Sequence, residues 1–176
     1  MKKLSLEELG RPTVEEFQNQ EKHRVIVILD NVRSALNVGS FFRTCDAFAI
    51  EALWLTGITA TPPNREIQKT AIGATESVTW KHFGTTLEAV QHAKDLGYYA
   101  IGIEQTTASK HLNEVNVNDR SMVLVFGNEV NGVSEEVFPL LDECWEIPQS
   151  GTKHSLNVSV CGGIVLWFCV QGLRKV

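Results

Sequence analysis

The feature that most constrains the fold of this chain is an unbroken apolar run close to its start, Val25-Ile26-Val27-Ile28-Leu29. A strand with one face in water alternates apolar and polar residues, whereas an unbroken β-branched run is typical of a strand buried on both faces. Further strands are predicted at 52–55, 98–103, 122–126 and 144–147, with a short one at 78–80. Because segments whose apolar residues recur at helical spacing lie between these strands, the sequence predicts an α/β domain with a mostly parallel sheet flanked by helices.

The helices are predicted from the spacing of apolar residues and from the residues that begin and end them. They are expected at 38–48, 65–70, 86–96 and 134–141, followed by a closing helix from about Ser155. Gly97 is typical of a residue that ends a helix. Ser134 is typical of an N-cap, with Glu135 and Glu136 in the first turn of its helix.

The chain is expected to hold one domain. Residues 5–18 have a helical pattern that is broken at Gly10-Arg11-Pro12, which predicts a short N-terminal arm over residues 1–23. We find no repeat, low-complexity tract or linker in the sequence from 24 to 176. A chain of 176 residues is long enough to bury a core without disulfide or metal support, so residues 24–176 are predicted to form a single domain.

Composition predicts a soluble protein of the cytoplasm. The N-terminal apolar run is too short for a signal peptide, and the longest apolar run, 164–170, is far too short to span a bilayer. Four scattered cysteines without a CxxC pair favour free thiols in a reducing compartment over disulfides or zinc. The net charge of −5 argues against a surface that coats nucleic acid but is compatible with a local basic site.

The first candidate segment follows the first predicted strand and includes Asn37, Ser40 and Arg43. If Asn37 caps the helix, the other two follow near one face of its first turns. An arginine at that position offers a fork of donors to a phosphate or a carboxylate. The alternative is a surface ion pair between Arg43 and Asp46, three residues further along.

The second candidate segment is Gly127-Asn128-Glu129-Val130-Asn131-Gly132-Val133-Ser134, directly after a buried strand. Its glycines and asparagines allow positive φ angles and a close approach of the backbone to a ligand. Glu129 would stand at the carboxyl end of a strand, where ligands bind in open α/β sheets. The spacing fits neither the GxGxxG fingerprint nor a P-loop, and an ordinary connecting loop is the alternative.

The third candidate segment runs from Ser150 to Leu166, a polar loop that leads into an apolar helix rich in small residues. Ser155 and Asn157 are candidates to line a pocket, and Lys153 and His154 to contact an anion. His154 equally fits a loop histidine without a catalytic task. Neither a Ser–His–Asp order nor a pair of acids suited to glycosidic chemistry is evident.

Together and in this order, the three segments resemble the motifs of the SPOUT-class RNA methyltransferases, specifically the SpoU or TrmH-type ribose 2′-O-methyltransferases. The resemblance covers about residues 24–172, and the ordered triple is far more specific than any one motif. The matching positions are Asn37-x-Gly-x-x-x-Arg43, Gly127-Asn128-Glu129-x-x-Gly132, and Ile147-Pro148 with Ser155-Leu156-Asn157-Val158-Ser159.

The resemblance implies a fold and an assembly that periodicity alone does not predict. The C-terminal part of the sheet would be threaded into a deep trefoil knot, a rare exception among folds. S-adenosylmethionine would bind within the knot as the methyl donor, without a metal ion. The protein would work on RNA as a homodimer, with no membrane partner, and the apolar part of the last helix would help to form the dimer.

The resemblance also assigns roles to residues. Arg43 would be the key catalytic residue and would reach the cofactor site of the other subunit. The remaining catalytic positions are Asn37, Glu129, Ser155 and Asn157. The cofactor positions are Gly127, Gly132, Ile147 and Leu156, together with Glu104 and Gln105 at the end of a strand. RNA contacts would come from Arg33, Arg65, Lys69 and Lys153, or from a partner protein.

The predicted function is therefore transfer of a methyl group from S-adenosylmethionine to a ribose 2′-hydroxyl of RNA, with tRNA favoured over rRNA. A catalytically silent relative that binds RNA or S-adenosylmethionine is the alternative, and the joint presence of the five catalytic positions speaks against it. A nucleotide-binding enzyme such as a dehydrogenase would need a glycine fingerprint that this sequence lacks. We expect no separate RNA-binding domain before residue 24.

Overall fold

The computed structural model describes residues 1–5, 7–117 and 120–173. The strands within these ranges are β1 (His23–Asp30), β2 (Ile50–Thr56), β3 (Trp80–Phe83), β4 (Tyr99–Ile103), β5 (Lys110–His111), β6 (Met122–Phe126) and β7 (Glu143–Glu146). They form one sheet in the order β3-β2-β1-β6-β4-β7-β5, and each neighbouring pair is parallel. The predicted α/β fold with a mostly parallel sheet is confirmed.

Helices cover both faces of the sheet. They are α1 (Val14–Asn19), α2 (Ala35–Ala47), α3 (Arg65–Ala71), α4 (Ala74–Ser77), α5 (Thr86–Asp95) and α6 (Val158–Leu173), with 3₁₀ helices at Leu112–Glu114 and Glu135–Leu140. Along β1, Val25, Val27 and Leu29 join the core beneath α2, α3 and α6. Ile26 and Ile28 point to the opposite face, as strand geometry requires, and join the core beneath α5. The unbroken apolar run of β1 therefore follows from two buried faces.

Two helices begin differently from the prediction. Ser34, not Asn37, is the N-cap of α2, because its Oγ accepts the backbone N–H of Asn37 at 3.3 Å. Asn37 thus lies inside the first turn and its side chain is available to other partners. The segment 135–140 is a 3₁₀ helix rather than an α-helix, since Pro139 lacks the N–H that an α-helix would need there. The hydroxyl of Ser134 donates to Asp30 instead of capping this helix.

Three smaller differences concern element boundaries. The edge strand lies at Trp80–Phe83 rather than at 78–80, because the unpredicted helix α4 ends only at Ser77. The two-residue strand β5 was also not predicted. The last helix begins at Val158 rather than Ser155, since the Asn157 carboxamide oxygen accepts the N–H groups of Ser159 and Val160 at 3.0 and 3.3 Å and so acts as its cap.

The N-terminal arm is tied to the domain through α1. A capping box between Thr13 and Glu16 begins this helix, and Phe17 is buried. The Lys22 ammonium lies 3.6 Å from the centre of the Phe17 ring, and the Gln18 side chain donates to the carbonyl of Glu76 at 2.8 Å. The predicted break falls before α1, where Gly10 has a φ of 55°.

The strand order creates a crevice at one edge of the sheet. β1 leads to β2 on one side, while β6 pairs with β1 on its other side. Loops that leave neighbouring strands on opposite sides of the sheet open a crevice at their carboxyl ends. The loops after β1, β4, β6 and β7 all begin at this edge, which therefore gathers the three candidate segments.

Candidate active site

Asn37 lies at the centre of a hydrogen-bond network that joins the three candidate segments. Its Nδ2 donates to Glu129 Oε1 at 2.9 Å. Its Oδ1 accepts the side-chain N–H of Asn157 at 3.2 Å and the hydroxyl of Ser159 at 3.4 Å. Residues separated by 92 and 120 positions in the chain are thereby in direct contact.

The Glu129 carboxylate is held against the start of α2. It accepts the backbone N–H groups of Arg33 and Ser34 at 3.2 and 3.4 Å in addition to the Asn37 amide. Desolvation alone would raise the pKa of Glu129, but hydrogen bonds from its own backbone and from these three residues outweigh it and hold the pKa below its ordinary value. Glu129 is therefore an anion at neutral pH and suited to orienting donors.

The second loop, residues 127–134, folds back on itself at the end of β6. Asn128 and Gly132 exchange two backbone hydrogen bonds of 3.1 Å, and Asn128 Oδ1 accepts the N–H groups of Val130 and Asn131. A Cβ on Gly127 would overlap the backbone of Gly132. Gly132 has a φ of 68°, and a Cβ there would overlap the Glu104 carboxylate. Glycine is required at both positions for steric reasons.

A cavity of about 740 Å³ lies among the second loop, the end of β4 and the segment after β7. Its size is typical of a site for a nucleoside-sized ligand. Apolar side chains of the sheet and of α6 form one part of its wall, and backbone and polar groups form the other. The predicted cofactor positions all line it, namely Glu104, Gln105, Gly127, Gly132, Ile147 and Leu156, as do Glu129, Ser155 and Asn157.

Two walls of this cavity are joined by a hydrogen bond. Gln105 Nε2 donates to the carbonyl oxygen of His154 at 3.0 Å, which links the end of β4 to the third segment. The neighbouring Ser155 is exposed and lines the cavity. His154 therefore contributes its backbone carbonyl to the wall.

Arg43 lies apart from this cavity within its own chain. It is exposed on α2 and lines a second depression, of about 480 Å³, between α2, α3 and α6. Lys69, Ser40 and Thr70 line the same depression. In the part of the chain that the structure describes, no ion pair joins Arg43 to Asp46, and the Asp46 carboxylate instead accepts the hydroxyl of Ser77 at 2.5 Å.

The cations predicted to contact RNA do not meet in one depression. Arg33 lines a third depression, of about 930 Å³, on the other side of the second loop. Lys69 is ion-paired with Glu66 at 2.6 Å on α3. Arg65 and Lys153 are exposed and line none of the three depressions.

Sequence reasoning missed several residues that the structure brings to the site. Ser159, which the sequence placed in the third motif without a role in the site, completes the Asn37 network. Trp145 and Cys161 line the apolar wall of the cavity. Burial and the nearby Glu104 carboxylate raise the pKa of the Cys161 thiol to about 11, so it stays protonated at neutral pH.

All four cysteines are free thiols, and Cys45 and Cys169 are buried. No helix among the described residues is both long and apolar enough to cross a membrane. Within the same residues, no three His, Cys, Asp or Glu side chains are grouped so that they could hold a metal ion.

The fold defines an α/β protein with a cavity at the carboxyl edge of a parallel sheet. The chain belongs to the SpoU rRNA Methylase family, whose model matches residues 24–167. The predicted family is thereby confirmed.

Individual relatives agree with this assignment. The chain is 32% identical over 146 residues to a Mus musculus protein named tRNA (guanosine(18)-2′-O)-methyltransferase TARBP1. The aligned region covers 82% of this chain and 9% of that protein. It spans less than two thirds of the length of this and other curated relatives.

Solved structures show the same architecture. The A. aeolicus TrmH/SpoU tRNA modifying enzyme superimposes with a TM-score of 0.81 at 27% identity, covering 92% of this chain and 81% of that one. An AdoMet-bound rRNA methyltransferase from Sinorhizobium meliloti superimposes with a TM-score of 0.80 at 24% identity, covering 90% of this chain and 61% of that one. At 24% identity the likeness concerns the fold alone.

Proposed function

We propose that this chain is an S-adenosylmethionine-dependent RNA methyltransferase that acts on a ribose 2′-hydroxyl, with tRNA as the favoured substrate. The observation that carries the proposal is the network of Asn37, Glu129 and Asn157 beside a cavity lined by the predicted cofactor residues. The name of the mouse relative, a tRNA 2′-O-methyltransferase, supports the choice of ribose and of tRNA. The proposal includes a methyltransferase domain over 24–176 with the arm at 1–23, in the cytoplasm.

The cavity fits the proposed methyl donor. Gly127 and Gly132 line it with backbone alone, which lets a ligand approach the main chain closely. Ile147 and Leu156 would hold the nucleoside part through backbone groups, and the apolar wall with Trp145 suits an aromatic ring. When bound, S-adenosylmethionine supplies the electrophilic methyl group of its sulfonium.

The residues of the chain would position the ribose and its phosphate. Methyl transfer needs the hydroxyl in line with the methyl group, and positioning of this kind supplies much of the rate enhancement. The Asn37–Glu129–Asn157 network offers fixed polar groups at the mouth of the cavity. Since a guanidinium offers hydrogen-bond donors and no acceptor, we assign Arg43 to binding and polarising a substrate phosphate rather than to taking the proton.

The proposal includes a homodimer in which Arg43 serves the cavity of the other subunit. Arg43 lies outside the cavity of its own chain, so a second copy is needed to complete the site. An apolar face on α2 and α6 supports this assembly, with Trp167 53% and Val160 52% exposed and Leu36 and Ile164 beside them. Exposed apolar patches of this kind are typical of interfaces.

The proposal also includes the deep trefoil knot. The segment that follows β7 lines the same cavity as the second loop, and α6 then packs on α2, so the end of the chain returns to the centre of the sheet. A Cβ on Gly162 would overlap the Phe41 ring, which reflects the close approach of α6 to α2.

Calorimetry and methyl transfer test the proposed function in sequence. The chain should bind S-adenosylmethionine and its demethylated product, S-adenosylhomocysteine, and should not bind NAD. Tritiated methyl groups should then pass to a tRNA fraction in preference to an rRNA fraction, and mass spectrometry should locate them on a ribose. Binding without transfer to either fraction would favour the catalytically silent alternative, and absence of binding would overturn the proposal.

A further inference from the structure

Two carboxylates from neighbouring strands hold the end of the second loop. The backbone N–H of Val133 donates to Glu104 Oε2 at 3.0 Å, and that of Ser134 donates to Asp30 Oδ2 at 2.6 Å. Glu104 follows β4 and Asp30 ends β1, and these strands flank β6, from which the loop emerges. The loop is therefore fastened on both sides of its own strand.

The Asp30 carboxylate is fully buried and strongly oriented. It accepts the Asn31 amide at 2.8 Å, the Thr86 hydroxyl at 2.6 Å and the Ser134 hydroxyl at 3.0 Å, in addition to the Ser134 N–H. The Thr86 hydroxyl contacts that of Thr56 at 2.6 Å, so the cluster also reaches β2. Moving a carboxylate out of water costs free energy, and the hydrogen bonds from these four donors offset that cost.

The attachments at Val133 and Ser134 hold one end of the second loop. The paired hydrogen bonds between Asn128 and Gly132 close its turn. One end of the turn continues β6, its other end is Val133–Ser134, and Glu129 within it is held by the start of α2. The direction of the turn therefore depends in part on the carboxylates that hold Val133 and Ser134.

We infer that Asp30 is a positioning residue for the ligand cavity, a role that rests on the proposed function for the identity of the ligand. By holding Ser134, it keeps Gly127 and Gly132 in the cavity wall and Glu129 within reach of Asn37. Asp30 itself does not line the cavity. It acts through the loop.

Asp30→Asn tests this role with almost no change in volume. One carboxylate oxygen becomes an NH₂ group, so the side chain loses its charge and keeps a single acceptor oxygen for the Ser134 N–H, the Asn31 amide and the two hydroxyls. Loss of the charge and of one acceptor should loosen the hold on Ser134 and weaken S-adenosylhomocysteine binding about tenfold or more. Hydrogen exchange measured by mass spectrometry should show lost protection in peptides that contain 127–134.

Asp142→Asn is the matched control. Asp142 accepts the backbone N–H of Ala100 and the Lys94 ammonium, both at 2.7 Å, at the amino ends of the strands. Its substitution removes a comparable pair of contacts without touching the second loop, so ligand affinity and protection of 127–134 should match the wild type.

Ser134→Pro makes the test independent of the buried carboxylate. The φ of Ser134 is −57°, which proline adopts, and the substitution removes the donating N–H while Asp30 keeps Thr86 and Asn31. It should reproduce the losses of Asp30→Asn, and it carries the test alone if Asp30→Asn does not fold.

The outcomes separate this inference from the proposed function. Wild-type affinity and protection in a folded Asp30→Asn or Ser134→Pro protein would overturn the inference, as would an equal loss in Asp142→Asn. If the wild-type chain binds no S-adenosylhomocysteine, the proposed function fails, and the exchange of peptides 127–134 still decides whether Asp30 positions the loop.

Discussion

At the residue scale, the site depends on short polar side chains whose partners are remote in sequence. Asn37 donates to Glu129 and accepts from Asn157 and Ser159, so one amide orients groups from all three segments. A carboxylate there cannot replace it, because it has no donor for Glu129. A side chain between Glu129 and Asn157 must donate to the carboxylate and accept from the amide N–H, and the Asn37 amide does both.

Replacement of Arg43 should separate catalysis from ligand binding. Because Arg43 is assigned to a substrate phosphate and not to the methyl donor, Arg43→Ala should leave S-adenosylhomocysteine affinity within about twofold while reducing methyl transfer by about 10²-fold or more. The rate of methyl transfer by Arg43→Lys should lie between those of the wild type and Arg43→Ala, because lysine keeps the charge but lacks the planar group that binds a phosphate through two hydrogen bonds. Calorimetry and tritium transfer on the same preparations measure the two effects. Near-wild-type transfer by Arg43→Ala would show that the catalytic assignment is wrong.

The depressed pKa of Glu129 predicts a pH dependence of stability. A carboxyl whose folded pKa lies below its unfolded value stabilises the protein above the unfolded value, about 4.5, and loses this contribution as the pH falls through the folded pKa. The free energies of unfolding of wild type and Glu129→Gln should therefore differ by a constant amount above pH 5 and converge below about 4.5. Urea denaturation across this range measures the difference. A gap that widens on acidification would contradict the assignment.

At the element scale, the second loop depends on its glycines because three elements converge on it. Glu104 at the end of β4 occupies the space that a Cβ on Gly132 would need, the loop's own turn occupies that of a Cβ on Gly127, and the start of α2 holds Glu129. The helices on either side follow ordinary capping rules, with Ser34 and Asn157 at their starts.

Gly132→Ala should distort the loop and weaken ligand binding. The φ of 68° alone costs alanine about 1–2 kcal/mol, and the added Cβ would displace the Glu104 carboxylate from Val133. Gly151→Ala is the matched control, because a Cβ at Gly151 meets nothing within 4 Å. Calorimetry with S-adenosylhomocysteine should show a loss of at least about tenfold for the first variant and none for the second. Equal affinities would show that the loop tolerates the side chain.

At the scale of the whole molecule, Arg43 and the cavity lie apart within one chain. The apolar face of α2 and α6 includes Trp167, whose ring lies 5.9 Å from that of Phe48, centre to centre. The second depression, with Arg43, opens beside this face. A two-fold dimer through α6 would bring each Arg43 towards the other subunit, which is how an acidic chain of this size could assemble a site for RNA.

A charge on the apolar face should prevent the proposed dimer from forming and abolish the proposed methyl transfer. Ile164→Asp is expected to give a monomer by light scattering at micromolar concentration, with methyl transfer lost and S-adenosylhomocysteine binding weakened where the interface supports the cavity. Lys81→Asp, an exposed change on the edge strand β3, is the control and should remain dimeric. A wild-type chain that is already monomeric would rule out the shared site.

Mixing two impaired variants, measured at a methyl-donor concentration too low for Gly132→Ala to bind it, tests the shared site directly. In a mixed dimer of Arg43→Ala and Gly132→Ala, one site combines an intact cavity with an intact arginine. About a quarter of all sites should therefore regain activity after subunit exchange, since about half of the dimers are mixed and each has one complete site. No recovery in proven mixed dimers would mean that Arg43 serves its own chain.

The sequence by itself determined the sheet and the residue types of the site. Apolar runs such as Val25–Leu29 encode two buried faces locally, and glycines and amides at the strand ends mark where a ligand can approach. Only the tertiary structure decided that Ser34 rather than Asn37 caps α2, that Asp30 holds the second loop, and that Arg43 lines a depression with Lys69 and Thr70. Periodicity describes neighbours along an element, whereas these contacts join residues brought together only when the loops at the sheet edge have packed.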